Sequence, residues 1–179
     1  IIDFAKITKE DTVLEIGPGV GFVTEQLVKH AKKVIAVELD EEAIKELEKL
    51  ECDNLEIIHN DILKTDISAL SEESVKVVAN IPYYITSPII AHLLGEIDDL
   101  ANKNRNKIKD IILMVQEEVA RRIVDFISGG VYALDGHIQK ISNSIFLIAP
   151  MNYEITNEMA REEIKNKLSV SWLKNNNIN

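Results

Sequence analysis

Apolar runs of strand length alternate along this chain with stretches of helical periodicity. That alternation predicts an α/β fold built on a doubly wound, mostly parallel sheet with helices on both faces. Two further observations support it. Residues 111–115 (Ile-Ile-Leu-Met-Val) are apolar without interruption, as a central parallel strand covered on both faces requires. Three glycines, Gly17, Gly19 and Gly21, stand between the first strand and the first helix, where α/β proteins place ligand-binding turns.

The elements follow in order. Residues 12–16 predict a strand and 22–30 a helix, with Phe22, Leu27 and Val28 available for packing. Residues 33–38 (Lys-Val-Ile-Ala-Val-Glu) predict the second strand. Asp40 is placed to cap a helix running to about Leu50, whose Ala43, Ile44, Leu47 and Leu50 recur at helical spacing. Strands are expected at 55–59 and 75–79, and Pro88 suits an early position of a helix reaching about Leu94. After the strand at 111–115 comes a helix at 117–126. Beyond Gly129-Gly130 the pattern supports a sixth strand at 144–149, a charged helix at 157–168 and a frayed Asn-rich end at 175–179.

At 179 residues the chain suits one folding unit able to bury a real core: a main domain over 1–150, then a divergent helix and tail over 151–179. Its single Cys52 excludes an intrachain disulfide framework, and its four histidines are too scattered for a metal or triad reading. No apolar run nears the roughly 18 residues that span a bilayer, and the first residues do not read as a signal peptide. A cytoplasmic monomer without metal is expected. The formal charge of −10 opposes a general nucleic-acid binder, so any basic surface must be local, with Lys103, Arg105, Lys107, Lys109, Arg121 and Arg122 as candidates.

Chemistry concentrates at the ends of the predicted strands. The glycines of Glu15-Ile16-Gly17-Pro18-Gly19-Val20-Gly21 permit a tight turn and close approach of backbone to a ligand. Their GxGxG spacing differs from the dinucleotide pattern and suits S-adenosylmethionine (SAM), which has no pyrophosphate. Glu38 ends the second strand 21 residues beyond Gly17, where an acid can accept hydrogen bonds from both ribose hydroxyls. Asp61 can accept from an adenine amine, and Ile62 can pack on the ring. Asn80-Ile81-Pro82-Tyr83-Tyr84 closes the fourth strand. An exocyclic amine on an aromatic ring is a poor nucleophile, because its lone pair is delocalised. The Asn80 side-chain oxygen and the Pro82 carbonyl are the expected acceptors for its hydrogens, with Tyr83 or Tyr84 stacked on the base. Positioning of this kind supplies roughly 7–11 kcal/mol of barrier reduction without a general base.

These motifs resemble those of the ribosomal RNA adenine dimethyltransferases (the KsgA type) and the related erythromycin-resistance methylases. The resemblance spans residues 11–124 and is carried by Glu-Ile-Gly-Pro-Gly, Ala-Val-Glu-Leu-Asp, Asn-Asp-Ile-Leu-Lys, Asn-Ile-Pro-Tyr-Tyr-Ile-Thr and Met-Val-Gln-Glu-Glu-Val-Ala-Arg-Arg-Ile. It implies a Rossmann-like SAM-dependent methyltransferase that dimethylates adenine N6 in small-subunit ribosomal RNA, with that RNA or a small ribosomal subunit precursor as partner. It implies SAM held by Gly17, Glu38, Asp61 and Asn80, and the adenine held between Asn80, Pro82 and Tyr83. The Tyr84 and Met-Val-Gln-Glu-Glu residues favour the housekeeping dimethylase over the resistance enzyme. The family's Gln-Asn-Phe-Leu cover segment, its Phe-x-Pro-x-Pro-x-Val loop and its helical C-terminal domain have no counterpart in this sequence. The expectation is therefore an intact cofactor half and an incomplete RNA half, in a fragment or an eroded homologue. The rival readings are a methyltransferase of another base or small amine, and a SAM- or RNA-binding homologue without turnover.

Overall fold

The computed structural model describes residues 5–95, 103–114, 128, 131, 136–141 and 145–149. Within them the chain runs β1 (Thr12–Ile16), α1 (Thr24–His30), β2 (Lys33–Glu38), α2 (Glu41–Glu48), β3 (Leu55–His59), α3 (Ile67–Leu70), β4 (Val75–Asn80), α4 (Tyr83–Leu94), β5 (Ile108–Met114), β6 (His137–Lys140) and β7 (Ile145–Ala149). The strands form one sheet in the order β3-β2-β1-β4-β5-β7-β6. β1 to β5 are parallel, while β7 runs antiparallel to both β5 and β6. From β1 the chain winds outward through β2 and β3, then returns to lay β4 on the other side of β1. This reversal opens a crevice at the carboxyl ends of β1 and β4, the place where such sheets bind ligands.

Strand periodicity builds the core on both faces. Leu14, Ile35, Val77 and Ile111 pack into one buried cluster with α4, while their neighbours Val13, Val34, Val78 and Ile112 pack into a second with Leu27 and Val28 of α1. Successive side chains point to opposite faces, so a strand covered on both sides is mostly apolar. At the amino edge, the buried Lys76 ammonium is held by the carbonyls of Ala5 (3.2 Å) and Lys6 (2.9 Å) and by Asp11 Oδ2 (3.1 Å). One side chain thus ties β4 to the segment before β1.

Several expectations change in detail. α1 begins at Thr24, so Phe22 stays in the loop at 82% exposed and does not pack. Asp40 caps α2 by accepting from the Glu42 amide at 2.9 Å, but the helix stops at Glu48, short of Leu50. Pro88 is not near the start of its helix: α4 begins at Tyr83, directly after Pro82, and carries Pro88 inside it. β5 begins three residues before the apolar run, at Ile108. The strand expected at 144–149 is the seventh, because His137–Lys140 forms a strand with only one apolar side chain to signal it. The helices expected at 117–126 and 157–168 lie outside the described residues.

Candidate active site

Parallel pairing brings the ends of β1 to β4 to a single edge. Ile16 is in register with Val37 and Ala79, Glu38 with His59, and Asn80 with Met114. Backbone bonds from Gly17 N to the Val37 carbonyl and from Asn60 N to the Glu38 carbonyl, both 3.0 Å, join the first three loops. The Gly17 and Ile81 loops lie close together: a β-carbon built on Gly17 would meet Ile81 Cγ2 at 3.8 Å.

The glycine turn is required by its geometry. Gly19 has φ of +58°, a region other residues avoid, and this conformation aims its N–H at Glu38 Oε2, 3.0 Å away. Gly21 faces a second constraint: a β-carbon there would sit 3.0 Å from Leu47 Cδ2 and 3.3 Å from Leu50 Cδ1. The loop therefore lies flat on α2 only as glycine.

Glu38 sits where the sequence puts it, but its carboxylate is already well supplied with donors. Oε2 accepts from Gly19 N, and Oε1 accepts from Leu39 N (2.8 Å) and Asp40 N (3.0 Å). A carboxylate offers about four acceptor directions, so the structure leaves Oε2 with one free and Oε1 with none. The expected grip on two hydroxyls needs one of these amides to let go.

Glu15, on β1 beneath the glycine turn, is 3% exposed. Burial pushes its carboxyl from the ordinary 4.5 up to about 7; the Thr24 hydroxyl opposes this and the Glu38 carboxylate adds to it. Even so, neither Glu15 Oε2 nor Thr24 Oγ1 closes a hydrogen bond of good geometry with any described residue. A buried carboxylate oxygen without a donor costs free energy, and its place at the crevice makes it a candidate acceptor for a cationic ligand.

Asp61 follows β3 and caps the short 3₁₀ turn Ile62–Lys64, with Oδ1 accepting from Leu63 N at 3.0 Å. Its Oδ2 has only a loose pairing with the exposed Lys64 ammonium, at 3.7 Å, and so stays open to a donor. Ile62 departs from expectation. At 7% exposed it belongs to the core cluster and offers little surface to a ring. An apolar side chain that does face solvent next to Glu38 is Leu39, 64% exposed. Nothing in the sequence singled it out, although an apolar residue between two acids at a strand end was a usable signal.

Asn80 ends β4 with its side chain exposed. Pro82 lies next to it as predicted, but its carbonyl is turned into the first turn of α4. There it accepts from Ile85 N (3.3 Å) and Thr86 Oγ1 (3.1 Å). A carbonyl has two acceptor directions, so the free acceptor expected at Pro82 is already engaged. The carbonyl of Ile81 receives no donor from the described backbone. Tyr83 opens α4, and its side chain lies outside the described residues; Tyr84 is 72% exposed. The basic candidates do not reach this edge. Lys103, Arg105, Lys107 and Lys109 precede or open β5 at the opposite end of the sheet, and Arg121 and Arg122 lie outside the described residues. Among the described residues no helix is long and apolar enough to cross a membrane.

Known proteins share both motifs and fold. The family model for ribosomal RNA adenine dimethylase matches residues 1–132. Ribosomal RNA small subunit methyltransferase A of Clostridium botulinum (strain Langeland) is 48% identical over 127 residues, 69% of this chain and 43% of the relative. The Bacillus pumilus protein of the same name is 45% identical over 131 residues, 69% of this chain and 42% of the relative. This chain thus spans less than half the length of these curated relatives. Among solved structures, a dimethyladenosine transferase from Plasmodium falciparum superimposes with a TM-score of 0.65 at 30% identity, covering 83% of this chain and 59% of that one. The 23S rRNA methyltransferase ErmE gives a TM-score of 0.66 at 22% identity over 98% of this chain and 75% of its own, a likeness of fold. The Rossmann-like methyltransferase fold and the match over most of the sequence agree: this chain belongs to the ribosomal RNA adenine dimethylase family.

Proposed function

We propose that this chain, chiefly residues 1–150, is a SAM-dependent methyltransferase acting on adenine N6 in small-subunit ribosomal RNA. The observation that carries the proposal is the bond from Gly19 N to Glu38 Oε2 at the same sheet edge as exposed Asn80, which supports reading the glycine turn as a cofactor loop and the Asn80 segment as an amine-holding one. Family membership and the names of the relatives support the RNA substrate.

The residues present fit the cofactor. Glu38 takes one ribose hydroxyl at Oε2, and the second displaces an amide. The exposed Leu39 side chain packs on the adenine, and Asp61 Oδ2 accepts from its amine. Glu15 supplies the buried carboxylate that a cationic molecule compensates. SAM, when bound, supplies a methyl group on a positively charged sulfur. The chain's task is then to hold the target amine. Asn80 Oδ1 and the Ile81 carbonyl accept its two hydrogens, which draws the nitrogen lone pair out of the ring and aims it into the crevice. Pro82 sets the turn, and Tyr83 flanks the base. An RNA substrate on a ribosome precursor implies a cytoplasmic location.

The test is incubation with labelled SAM and immature small ribosomal subunits. The wild type should label adenine, and Asn80→Ala should keep SAM affinity while losing transfer, because its contact matters most in the transition state. Wild-type turnover by Asn80→Ala would remove the amine-holding role.

A further inference from the structure

The loop that carries Asn80 is stiffened from an unexpected direction. Pro82 precedes α4 as its N-cap, with φ of −59° and ψ of 145°, and offers no side-chain cap. Pro88 lies inside the same helix. Lacking an N–H, it cannot donate to the Tyr84 carbonyl four residues back, and its ring crowds that carbonyl. The first turn of α4, from Tyr83 to Ser87, is therefore held by a thinned ladder. Two residues before Pro88, Thr86, fully buried, donates its hydroxyl to the Pro82 carbonyl at 3.1 Å. The accompanying backbone bond, Ile85 N to the same oxygen, is longer at 3.3 Å.

We infer that Thr86 is a positioning residue: its buried hydroxyl turns the Pro82 carbonyl into α4 and so leaves the Ile81 carbonyl and Asn80 as the two acceptors facing the crevice. This inference rests on the proposed amine-holding role of the Asn-Ile-Pro-Tyr loop. The geometry behind it is direct. Peptide planes are rigid, so fixing the Pro82 carbonyl fixes the following peptide, and proline fixes its own φ. What remains is the plane between Ile81 and Pro82, held on its other side by the buried Ile81 side chain. With both ends held, the Ile81 carbonyl has one direction left. Back-bonding of threonine to a carbonyl four residues earlier is common in helices. Here the bonded carbonyl belongs to the loop itself, two residues from Asn80.

The experiment compares wild type, Thr86→Val and Thr86→Ser, since valine keeps the shape without the hydroxyl and serine keeps the hydroxyl. SAM affinity is read by calorimetry, kcat and KM by labelled transfer to immature small subunits, melting temperature by scanning calorimetry, and exchange of the Ile85 amide by NMR. Thr86→Val should hold SAM and RNA as the wild type does while kcat falls roughly 10- to 100-fold, the scale for a reacting group displaced by an ångström. Serine should restore most of the rate. Exchange at Ile85 should quicken in the valine variant and not in the serine one. Wild-type kcat in Thr86→Val overturns the inference, as does a loss of SAM affinity and melting temperature in step with kcat, which marks a merely structural threonine. If the wild type itself transfers no methyl, the proposed function fails, and Ile85 exchange alone decides: faster in valine and normal in serine upholds the positioning contact, and unchanged exchange refutes it.

Discussion

Replacing Glu15 by Gln should make this protein more stable at alkaline pH, and the amount follows from the structure. Glu15 is 97% buried with an unpartnered oxygen, and its carboxyl is raised from 4.5 to about 7 by that burial. Below pH 4.5 the group is protonated in folded and unfolded chains alike. Between 4.5 and about 7 the folded chain keeps a proton that the unfolded chain gives up, so stability falls as pH rises, by roughly 1.4 kcal/mol per pH unit. Above about 7 the loss is complete, at about 3 kcal/mol. Gln at this position has no charge to lose and can donate its amide to the unpartnered Thr24 hydroxyl. The two proteins should melt close together at pH 4.5 and separate by roughly 6–12 °C at pH 8, with the variant higher, at 2–4 °C per kcal/mol for a chain of this size. Scanning calorimetry from pH 4.5 to 8.5 reads this directly, because every other titrating group moves both curves alike. Parallel curves would refute the claim that Glu15 titrates near neutrality.

Glu38→Ala should weaken SAM binding by about 10- to 100-fold in calorimetry, the value of one charge-assisted hydrogen bond at roughly 1.5–3 kcal/mol; equal binding would take Glu38 out of the site. Lys76→Met should lower stability by roughly 1–3 kcal/mol in urea unfolding, because the carbonyls of Ala5 and Lys6 lose their buried donor while Asp11 keeps the Thr8 amide and hydroxyl; a loss under about 0.5 kcal/mol would show the ammonium to be dispensable. Lys103→Glu should leave RNA affinity within about twofold at physiological salt, since the residue lies before β5, far from Asn80, and contributes no phosphate contact. A large drop in filter binding would move the RNA path to that end of the sheet.

The fold was legible because its signals are local and strong. Strands buried on both faces read as unbroken apolar runs, and a glycine turn after a strand has few other uses. The shared position of Glu38, Asp61 and Asn80 was legible for a related reason: parallel pairing brings the ends of these strands to one edge, so a polar residue at the end of a strand stands at that edge. What escaped depended on direction. Ile62 was assigned to a ring, yet the 3₁₀ turn that Asp61 caps rotates it into the core. The Pro82 carbonyl was assigned to the amine, yet where α4 starts decides which way that oxygen points, and Pro88 drew attention to the wrong start. β6 escaped because an edge strand reading His-Ile-Gln-Lys buries too little to show a pattern.

The same edge bears on the proposed function, a reaction between a cation and a polyanion carried out by an acidic chain. Glu15 and Glu38 place two carboxylates at the crevice, one buried and short of donors, the other held by three amides. For a cationic cofactor both are favourable, Glu38 as a standing charge and Glu15 as a buried carboxyl that gives up its proton near pH 7. For a phosphate backbone both are repulsive. The arrangement therefore separates the two ligands in space. On the proposed function the cofactor lies beside β1 and β2, where the acids are. The base must enter from the β4 side, where Asn80, Ile81 and Tyr84 present neutral groups. On the proposed function Ile81 couples the two sides: its side chain lies where a β-carbon on Gly17 would meet it, at 3.8 Å, and its carbonyl is the one proposed to hold the amine. A substitution that shifts the glycine turn should thus disturb transfer as well as binding, through Ile81.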